Sequence, residues 1–115
     1  SATHRGFVEI ASDGSVNFTS LSDYRLKENE TAISDGLTRV KALKPYRFNF
    51  KEYPDLTRDG FFAHEVADVV PIAVSGDKDA MKNGKPDYQG LDMTNMIPII
   101  VAAIKEIDAR VTALE

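Results

Sequence analysis

The last 23 residues of the chain repeat apolar side chains at alternating spacings of four and three. This spacing is the heptad repeat of a coiled coil, in which the side chains at positions a and d form the contact between helices. We name the residues that share it the seam: Met93, Ile97, Ile100, Ile104, Ile107, Val111 and Leu114. A segment of this kind folds as a helix and needs a partner for its apolar face.

Isoleucine occupies both kinds of core position in the seam. The a positions are Ile97, Ile104 and Val111, and the d positions are Met93, Ile100, Ile107 and Leu114. Isoleucine at both positions favours three or four helices over two, so we predict a homotrimer. Arg110 at g and Glu115 at the following e offer an interchain ion pair, worth a few tenths of a kcal/mol when exposed.

The seam helix is expected to begin near Asp92 or Thr94, because Pro98 is tolerated only in a first turn. The alternative is a single amphipathic helix packed on its own domain. Two features keep this alternative open. The seam has only three heptads, which is the minimum for predicting a coiled coil, and residues 101–103 widen the apolar face near the start of the helix.

The other end of the chain has the alternation typical of strands. Residues 6–10 and 16–18 alternate around the turn sequence 12–15, which predicts a β-hairpin. Two strands alone bury too little apolar surface to be stable in water, so this hairpin must pack on the rest of the chain or on copies of itself. Fibrous β-structure upstream would supply that packing.

The composition changes at residues 20–23, where alternation stops and a charged stretch begins. We therefore divide the chain into residues 1–21, the end of a β-structured domain, and a domain of residues 22–115. The second domain is predicted to be α+β, ending in the seam helix from about residue 92 to 115.

Within this second domain the pattern predicts short elements. Ser34 caps a helix that stops at Lys44-Pro45, and an aromatic strand follows over residues 46–50. Residues 60–63 are expected to pair back on that strand. A short helix ended by Pro71, a strand over residues 72–74 and a surface ribbon turning at Asn83-Gly84 complete the domain, the last with a type I′ turn.

Length and composition exclude several classes of protein. The 115 residues suit one domain, and 43% apolar and 28% charged residues are typical of globular chains. No apolar run reaches bilayer length, and a net charge of −4 without a basic run argues against nucleic-acid binding. Residues 1–5 precede no apolar segment, so we expect no signal peptide and interpret the chain as a fragment of a longer one.

The common templates for metals, cofactors and enzymes are missing. The chain has no Cys, no Gly-rich phosphate loop and no His pair at metal spacing. His4 and His64 stand far apart, and residues 77–79 lack the ligand spacing of a calcium loop. We therefore predict neither a metal nor a cofactor.

One short motif carries chemistry, at the composition boundary. Ser22 and Lys27 lie close enough in sequence to form a nucleophile and a base, provided that the lysine amine loses its charge. Burial of the amine, or a nearby cation such as Arg25, would favour this loss of charge. Taken alone the pair is a weak signal, because a capping role for the serine is far more common.

The residues around this motif resemble the intramolecular chaperone domain, the peptidase S74 family. The resemblance begins with Ser22-Asp23-x-Arg25-Leu26-Lys27-x-Asn29 and continues through residues 36–51. It then includes residues 60–74, with His64-Glu65, and residues 91–106 of the seam helix. No block is decisive alone, but together they run in order from about Ser22 to Leu114.

The resemblance implies a domain found at the C-termini of phage tail fibres, tailspikes and neck appendages, and in a membrane-anchored myelin regulatory transcription factor. Such a domain trimerises, registers the fibre strands and then releases itself by cutting its own chain. The resemblance also implies that Ser22 and Lys27 form a Ser-Lys dyad and that the chain is cut between Leu21 and Ser22. The supporting candidates are Asp23, Arg25, Asn29, His64 and Glu65.

Two departures from the family pattern affect these assignments. Glu30 and Thr31 stand where the family often has an apolar residue, which bears on local packing. His64 replaces the usual Gln before Glu65, and this change would alter the role that the resemblance implies for Glu65.

The mechanism places three conditions on the motif. Ser22 carries the nitrogen of the scissile bond, so its hydroxyl is already near the Leu21 carbonyl. Lys27 at i+5 lies off a shared helix face, so a turn or a neighbouring subunit must bring it to Ser22. Asp23 would hold the lysine charged if the two paired, so we expect it to cap the helix or bind Arg25 instead.

We therefore expect a self-cleaving chaperone that binds its own upstream fibre domain and two further copies of the chain, with neither nucleic acid nor membrane as a partner. It would fold in the host cytoplasm on a virion precursor and be released after cleavage. The alternative, from another class, is a non-catalytic trimerisation or attachment module of a viral fibre.

Overall fold

The computed structural model describes residues 6–115, which form two compact units that divide after residue 32. The predictions for residues 1–5, including that for His4, lie outside the described residues. The domain boundary between Leu21 and Ser22 stays a prediction.

The first unit contains the expected hairpin. Strands β1 (Gly6–Ile10) and β2 (Val16–Ser20) pair antiparallel. The turn between them is held by the Asp13 carboxylate, which accepts hydrogen bonds from the backbone N–H and hydroxyl of Ser15 at 2.9 and 2.6 Å. One face of this ribbon carries four exposed apolar side chains, those of Val8, Ile10, Val16 and Phe18.

The second unit is the mixed α+β domain that the sequence predicts. It begins with helix α1 (Gly36–Ala42), the antiparallel strands β3 (Tyr46–Asn49) and β4 (Thr57–Gly60), and helix α2 (Ala63–Ala67). A 3-10 turn (Pro71–Ala73) leads to β5 (Val74–Ser75), and the ribbon strands β6 (Met81–Lys82) and β7 (Lys85–Pro86) follow. Strand β8 (Gly90–Leu91) pairs with β5.

The C-terminal helix is 21 residues long. It starts as a 3-10 turn (Met93–Met96) that Asp92 caps, and it continues as α3 (Ile97–Ala113) with Pro98 in the first turn. The predicted start is therefore confirmed. In the described part of the chain, no helix is long and apolar enough to cross a bilayer.

Three local predictions were wrong. The aromatic strand pairs with residues 57–60 rather than 60–63, because residues 61 and 62 connect to α2. Residues 72 and 73 lie in the 3-10 turn, since the fixed φ of Pro71 suits a helical first turn. Asp35, not Ser34, stands at the N-cap of α1, and its side chain makes no capping hydrogen bond.

The surface ribbon agrees with its prediction. Asn83 and Gly84 have φ angles of 52° and 77°, the two positive values that a type I′ turn requires.

The core of the second unit lies between α2, the following 3-10 turn and the C-terminal helix. Its buried residues are Val66, Val70, Ala73, Met96 and Ile99. Half-buried residues from α1, from strands β5 and β8 and from the connecting segments pack around them. They are Val40, Leu43, Phe61, Val69, Val74 and Leu91. The C-terminal helix is thus a structural part of its own domain.

Helix α1 lies very close to α3. At Gly36 a Cβ atom would come within 2.7 Å of the Ala103 backbone nitrogen and of Glu106 Oε2. Glu106 Oε2 accepts a hydrogen bond from the Leu37 backbone N–H at 2.8 Å, so a carboxylate of α3 satisfies the N-terminus of α1. Glycine is therefore required at position 36 by space.

The contact between α3 and its own domain leaves the seam open. Met96, Ile99 and Ala103 point into the domain and are buried, whereas every seam residue is between 43% and 88% exposed. The helix thus has two apolar faces, and the intrachain alternative uses residues other than the seam.

Candidate functional site

A tight turn directly after strand β2 brings the predicted dyad together. Asp23 stands at the N-cap of a 3-10 turn of three residues, Tyr24–Leu26. The Lys27 backbone N–H donates to the Tyr24 carbonyl at 3.1 Å and closes this turn. The chain therefore folds back, and residues 22 and 27 face each other although they lie off a common helix face.

The side chains of the dyad are hydrogen-bonded to each other. Lys27 Nζ donates to Ser22 Oγ at 2.5 Å, and both residues belong to one chain. Both are exposed in the single chain. The hydroxyl and the amine have the separation that proton transfer requires.

Asp23 turns away from Lys27, and the expectation that it caps the turn or binds Arg25 is confirmed on both counts. Its Oδ1 accepts hydrogen bonds from the Arg25 backbone N–H at 2.9 Å and from Arg25 Nε at 3.0 Å. Its Oδ2 accepts from Arg25 Nη2 at 2.9 Å. These side-chain and backbone hydrogen bonds lower the pKa of Asp23, and the same pairing raises the pKa of Arg25.

Asn29 has a backbone role that its place in the motif does not reveal. Its φ is 55°, in the left-handed region where asparagine is among the best tolerated residues other than glycine. The chain therefore changes direction two residues after Lys27.

The other two supporting candidates lie on α2, in the second unit. Glu65 Oε2 accepts a hydrogen bond from the Tyr46 hydroxyl at 3.4 Å and lies 3.6 Å from Lys44 Nζ. Desolvation raises the pKa of Tyr46, and the hydrogen bond and charge of Glu65 add to the effect. Within residues 6–115, Glu65 Oε1 is buried and lacks a hydrogen-bond partner. The His64 ring stacks on Phe62 at 6.0 Å.

The structure thus groups Ser22, Asp23, Arg25 and Lys27 in one turn and places His64 and Glu65 in the second unit. Residues 6–115 contain no group of three or more His, Asp or Glu side chains placed to hold a metal ion. Sequence reasoning missed the role of Glu106, which lies in a block of the resemblance but far along the chain from the helix terminus that it caps.

Comparison with known families assigns the segment that contains the Ser22–Lys27 turn to a family. Residues 22–75 match the family model Peptidase_S74, described as chaperone of endosialidase. The match begins at Ser22 and confirms the resemblance over residues 22–75, so this segment belongs to an intramolecular chaperone domain of that family. The block of the resemblance at residues 91–106 lies outside the match. No curated protein matches the chain.

The family indicates two general properties of the matched segment. Its description supports a chaperone role associated with a fibre domain, and its name implies a peptidase that cleaves itself. The matched segment includes the turn with Ser22 and Lys27 and stops before the C-terminal helix.

Proposed function

We propose that this chain is the C-terminal intramolecular chaperone of a viral fibre or spike, which trimerises and then cuts itself between Leu21 and Ser22. One observation carries the proposal: Lys27 Nζ lies 2.5 Å from Ser22 Oγ at the first residue of the family match. The upstream β-hairpin ends at Ser20, so the bond to be cut directly follows it.

The reaction uses the position of Ser22 within the bond. A neutral Lys27 amine takes the proton of the Ser22 hydroxyl, and Oγ attacks the Leu21 carbonyl carbon through a five-membered ring. The C–O bond forms, the C–N bond breaks, and the proton passes to the departing amine of Ser22. Water then hydrolyses the ester, which leaves a carboxylate on Leu21 and restores the Ser22 hydroxyl.

The exposure of the dyad supports control by assembly. An amine in water is charged, and only desolvation or nearby positive charge produces the neutral base. In the single chain both dyad residues are exposed. We propose that the trimer buries the turn and so activates the lysine of the same chain.

The exposed seam supports the trimer itself. The helix already buries one apolar face against its own domain, and the seven seam residues remain open. Isoleucine at a and d favours three or four helices over two. Three helices joined along the seam would hold three chains in register.

The hairpin supports the chaperone role. Its apolar face is exposed and too small to be stable alone, so its packing has to come from neighbouring fibre strands. Registered strands avoid the open edges that lead to aggregation. In this proposal the chain folds on a virion precursor in the host cytoplasm, and the fragment is released after cleavage.

Mass spectrometry of freshly folded protein tests the cut. The parent chain is expected to yield a product of residues 22–115, and Ser22→Ala is expected to stay whole. Ser20→Ala is the matched control, because it removes a hydroxyl two residues away and should leave cutting intact. A product of residues 22–115 from Ser22→Ala would identify a contaminating protease and refute the dyad.

A non-catalytic trimerisation module is the second candidate. The observation that favours it is the exposure of both dyad residues, since a hydrated lysine is a poor base. A parent chain that stays whole as a trimer over hours would establish this candidate instead.

A further inference from the structure

Lys27 has two acceptors close to it in sequence, and it binds the weaker one. A carboxylate is a stronger partner for an ammonium group than a neutral hydroxyl. Yet Lys27 Nζ donates to Ser22 Oγ, and the neighbouring carboxylate of Asp23 is not its partner. The turn must therefore contain a feature that keeps Asp23 from Lys27.

Arg25 is that feature. Its guanidinium binds both oxygens of Asp23, through Nε to Oδ1 at 3.0 Å and through Nη2 to Oδ2 at 2.9 Å. Oδ1 also accepts from the Arg25 backbone N–H. The flat, two-pronged guanidinium fits a carboxylate in this way, whereas a lysine ammonium does not.

We propose that Arg25 is a positioning residue for self-cleavage: it occupies the Asp23 carboxylate and so leaves the Lys27 amine to Ser22. The inference rests on the proposed function, because it concerns the same dyad. It adds a reason why Asp and Arg accompany the Ser and Lys of this turn.

The other charged groups of the first unit do not compete in the same way. Those in the described part of the unit are Glu9, Asp13, Glu28 and Glu30. No ion pair links any of them to Lys27 in the described structure, and Asp13 is bound by Ser15. Asp23 is thus the acid that the turn itself places beside the dyad.

Removal of the guanidinium should redirect the lysine. In Arg25→Ala the Asp23 carboxylate loses the two guanidinium hydrogen bonds and keeps the one from the backbone N–H of residue 25, so the Lys27 ammonium becomes the one cation that the turn offers it. The attraction of opposite charges about 4 Å apart in water lowers the neutral fraction of the amine about fivefold. Loss of the contact with Ser22 adds to this effect.

Cleavage kinetics across pH test the proposal. At neutral pH, Arg25→Ala should cut at least about fivefold more slowly than the parent, and its pH–rate profile should move upward by about 0.7 pH units. The double variant Asp23→Asn with Arg25→Ala should recover, because asparagine keeps the N-cap acceptor but carries no charge. A structural role for Arg25 would leave the double variant slow.

The matched control is Arg47→Ala. Arg47 is as exposed as Arg25 and pairs with Asp59 at 3.0 Å on the β3–β4 hairpin, and its removal should leave the rate and the pH profile unchanged. If Arg25→Ala cuts like the parent, or if the double variant stays as slow as Arg25→Ala, the proposal is wrong.

A second measurement needs no cleavage. In the uncut Ser22→Ala chain, carboxyl NMR follows the titration of Asp23, whose pKa Arg25 lowers. With Arg25→Ala added, the pKa should remain low because Lys27 takes over the carboxylate. With Lys27→Gln added as well, it should rise towards its ordinary value.

This titration separates the two proposals. If the pKa of Asp23 rises as far with Arg25→Ala alone as it does when Lys27→Gln is added, Lys27 does not move to Asp23 and the inference is overturned. If the parent chain never cuts, the proposed function fails, and the titration still decides what Arg25 does.

Discussion

Replacement of two seam residues by aspartate tests whether the C-terminal helix joins three chains. Ile100 and Ile107 are d positions near the middle of the seam, and they are 43% and 46% exposed in the single chain. Nearly half of each side chain is therefore available for burial between subunits. The double variant Ile100→Asp with Ile107→Asp should abolish the trimer.

The size of the effect on trimer association follows from the exposed fractions of the two isoleucines. Full burial of an isoleucine side chain contributes about 1.5 to 3 kcal/mol, so burial of nearly half contributes about 1 kcal/mol. Six such side chains in a trimer contribute about 6 kcal/mol, or about 10⁴-fold in the association constant. Because the midpoint concentration of a trimer follows the square root of its dissociation constant, it should rise about 100-fold. The cost of burying aspartate adds to this value.

Sedimentation velocity over a 1000-fold concentration range measures the midpoint. The matched control places aspartate at two b positions of the same helix, Lys105→Asp with Thr112→Asp, where both residues are exposed. It reproduces the effect of acidic residues on helix stability without touching the seam. Circular dichroism checks that both variants fold.

A folded double variant whose trimer dissociates at the same midpoint concentration as the parent would refute the reasoning. The seam would then serve another contact, and the trimer would have to depend on other surfaces.

Further predictions concern the order of events, the α1–α3 contact and the N-cap of the C-terminal helix. Trimer formation should precede cutting, so dilution should suppress the product of residues 22–115 on a gel and the seam variant should stay uncut; equal first-order cutting in a monomeric variant would contradict this. Gly36→Ala should lower the free energy of unfolding in urea by about 1 to 3 kcal/mol, because the new Cβ would lie 2.7 Å from Ala103 N, whereas the exposed control Thr38→Ala should change little. Hydrogen bonds from Thr94 lower the pKa of Asp92, so its contribution to stability is present above the ordinary aspartate range and is lost as pH falls through the lowered value. The difference in melting temperature between the parent and Asp92→Ala should therefore shrink in acid, and Asp92→Asn, which keeps the acceptor, should resemble the parent at neutral pH.

Local patterns in the sequence determined most of the secondary structure. The hairpin, the short helices, the type I′ turn and the start of the C-terminal helix depend on residues that are neighbours in the chain. Turn residues, proline and apolar spacing act over a few positions, so their effect can be read directly. Two errors were small and local, at the N-cap of α1 and in the 3-10 turn after Pro71. The third concerned a pairing partner: the aromatic strand pairs with residues 57–60, because residues 61 and 62 connect to α2.

The motif at the composition boundary was also visible in the sequence, as a serine, a lysine and the family resemblance around them. The sequence left open whether a turn or a neighbouring subunit brings Lys27 to Ser22. In the structure a turn of the same chain does so, with Arg25 bound to Asp23. Side-chain pairing within a turn depends on backbone angles, such as the extended conformations of Asp23 and Lys27 on either side of the 3-10 turn, that composition does not specify.

Only the tertiary structure decided how the C-terminal helix divides its two apolar faces. The heptad spacing identified the seam, but Ile99 and Ala103 belong to the other face, and their burial depends on where α1 and α2 pack. Glu106 likewise lies 69 positions along the chain from Leu37, whose backbone N–H donates a hydrogen bond to its carboxylate. A spacing rule describes one helix, whereas the choice of which face turns inward is made by residues that are distant in the chain and close in space.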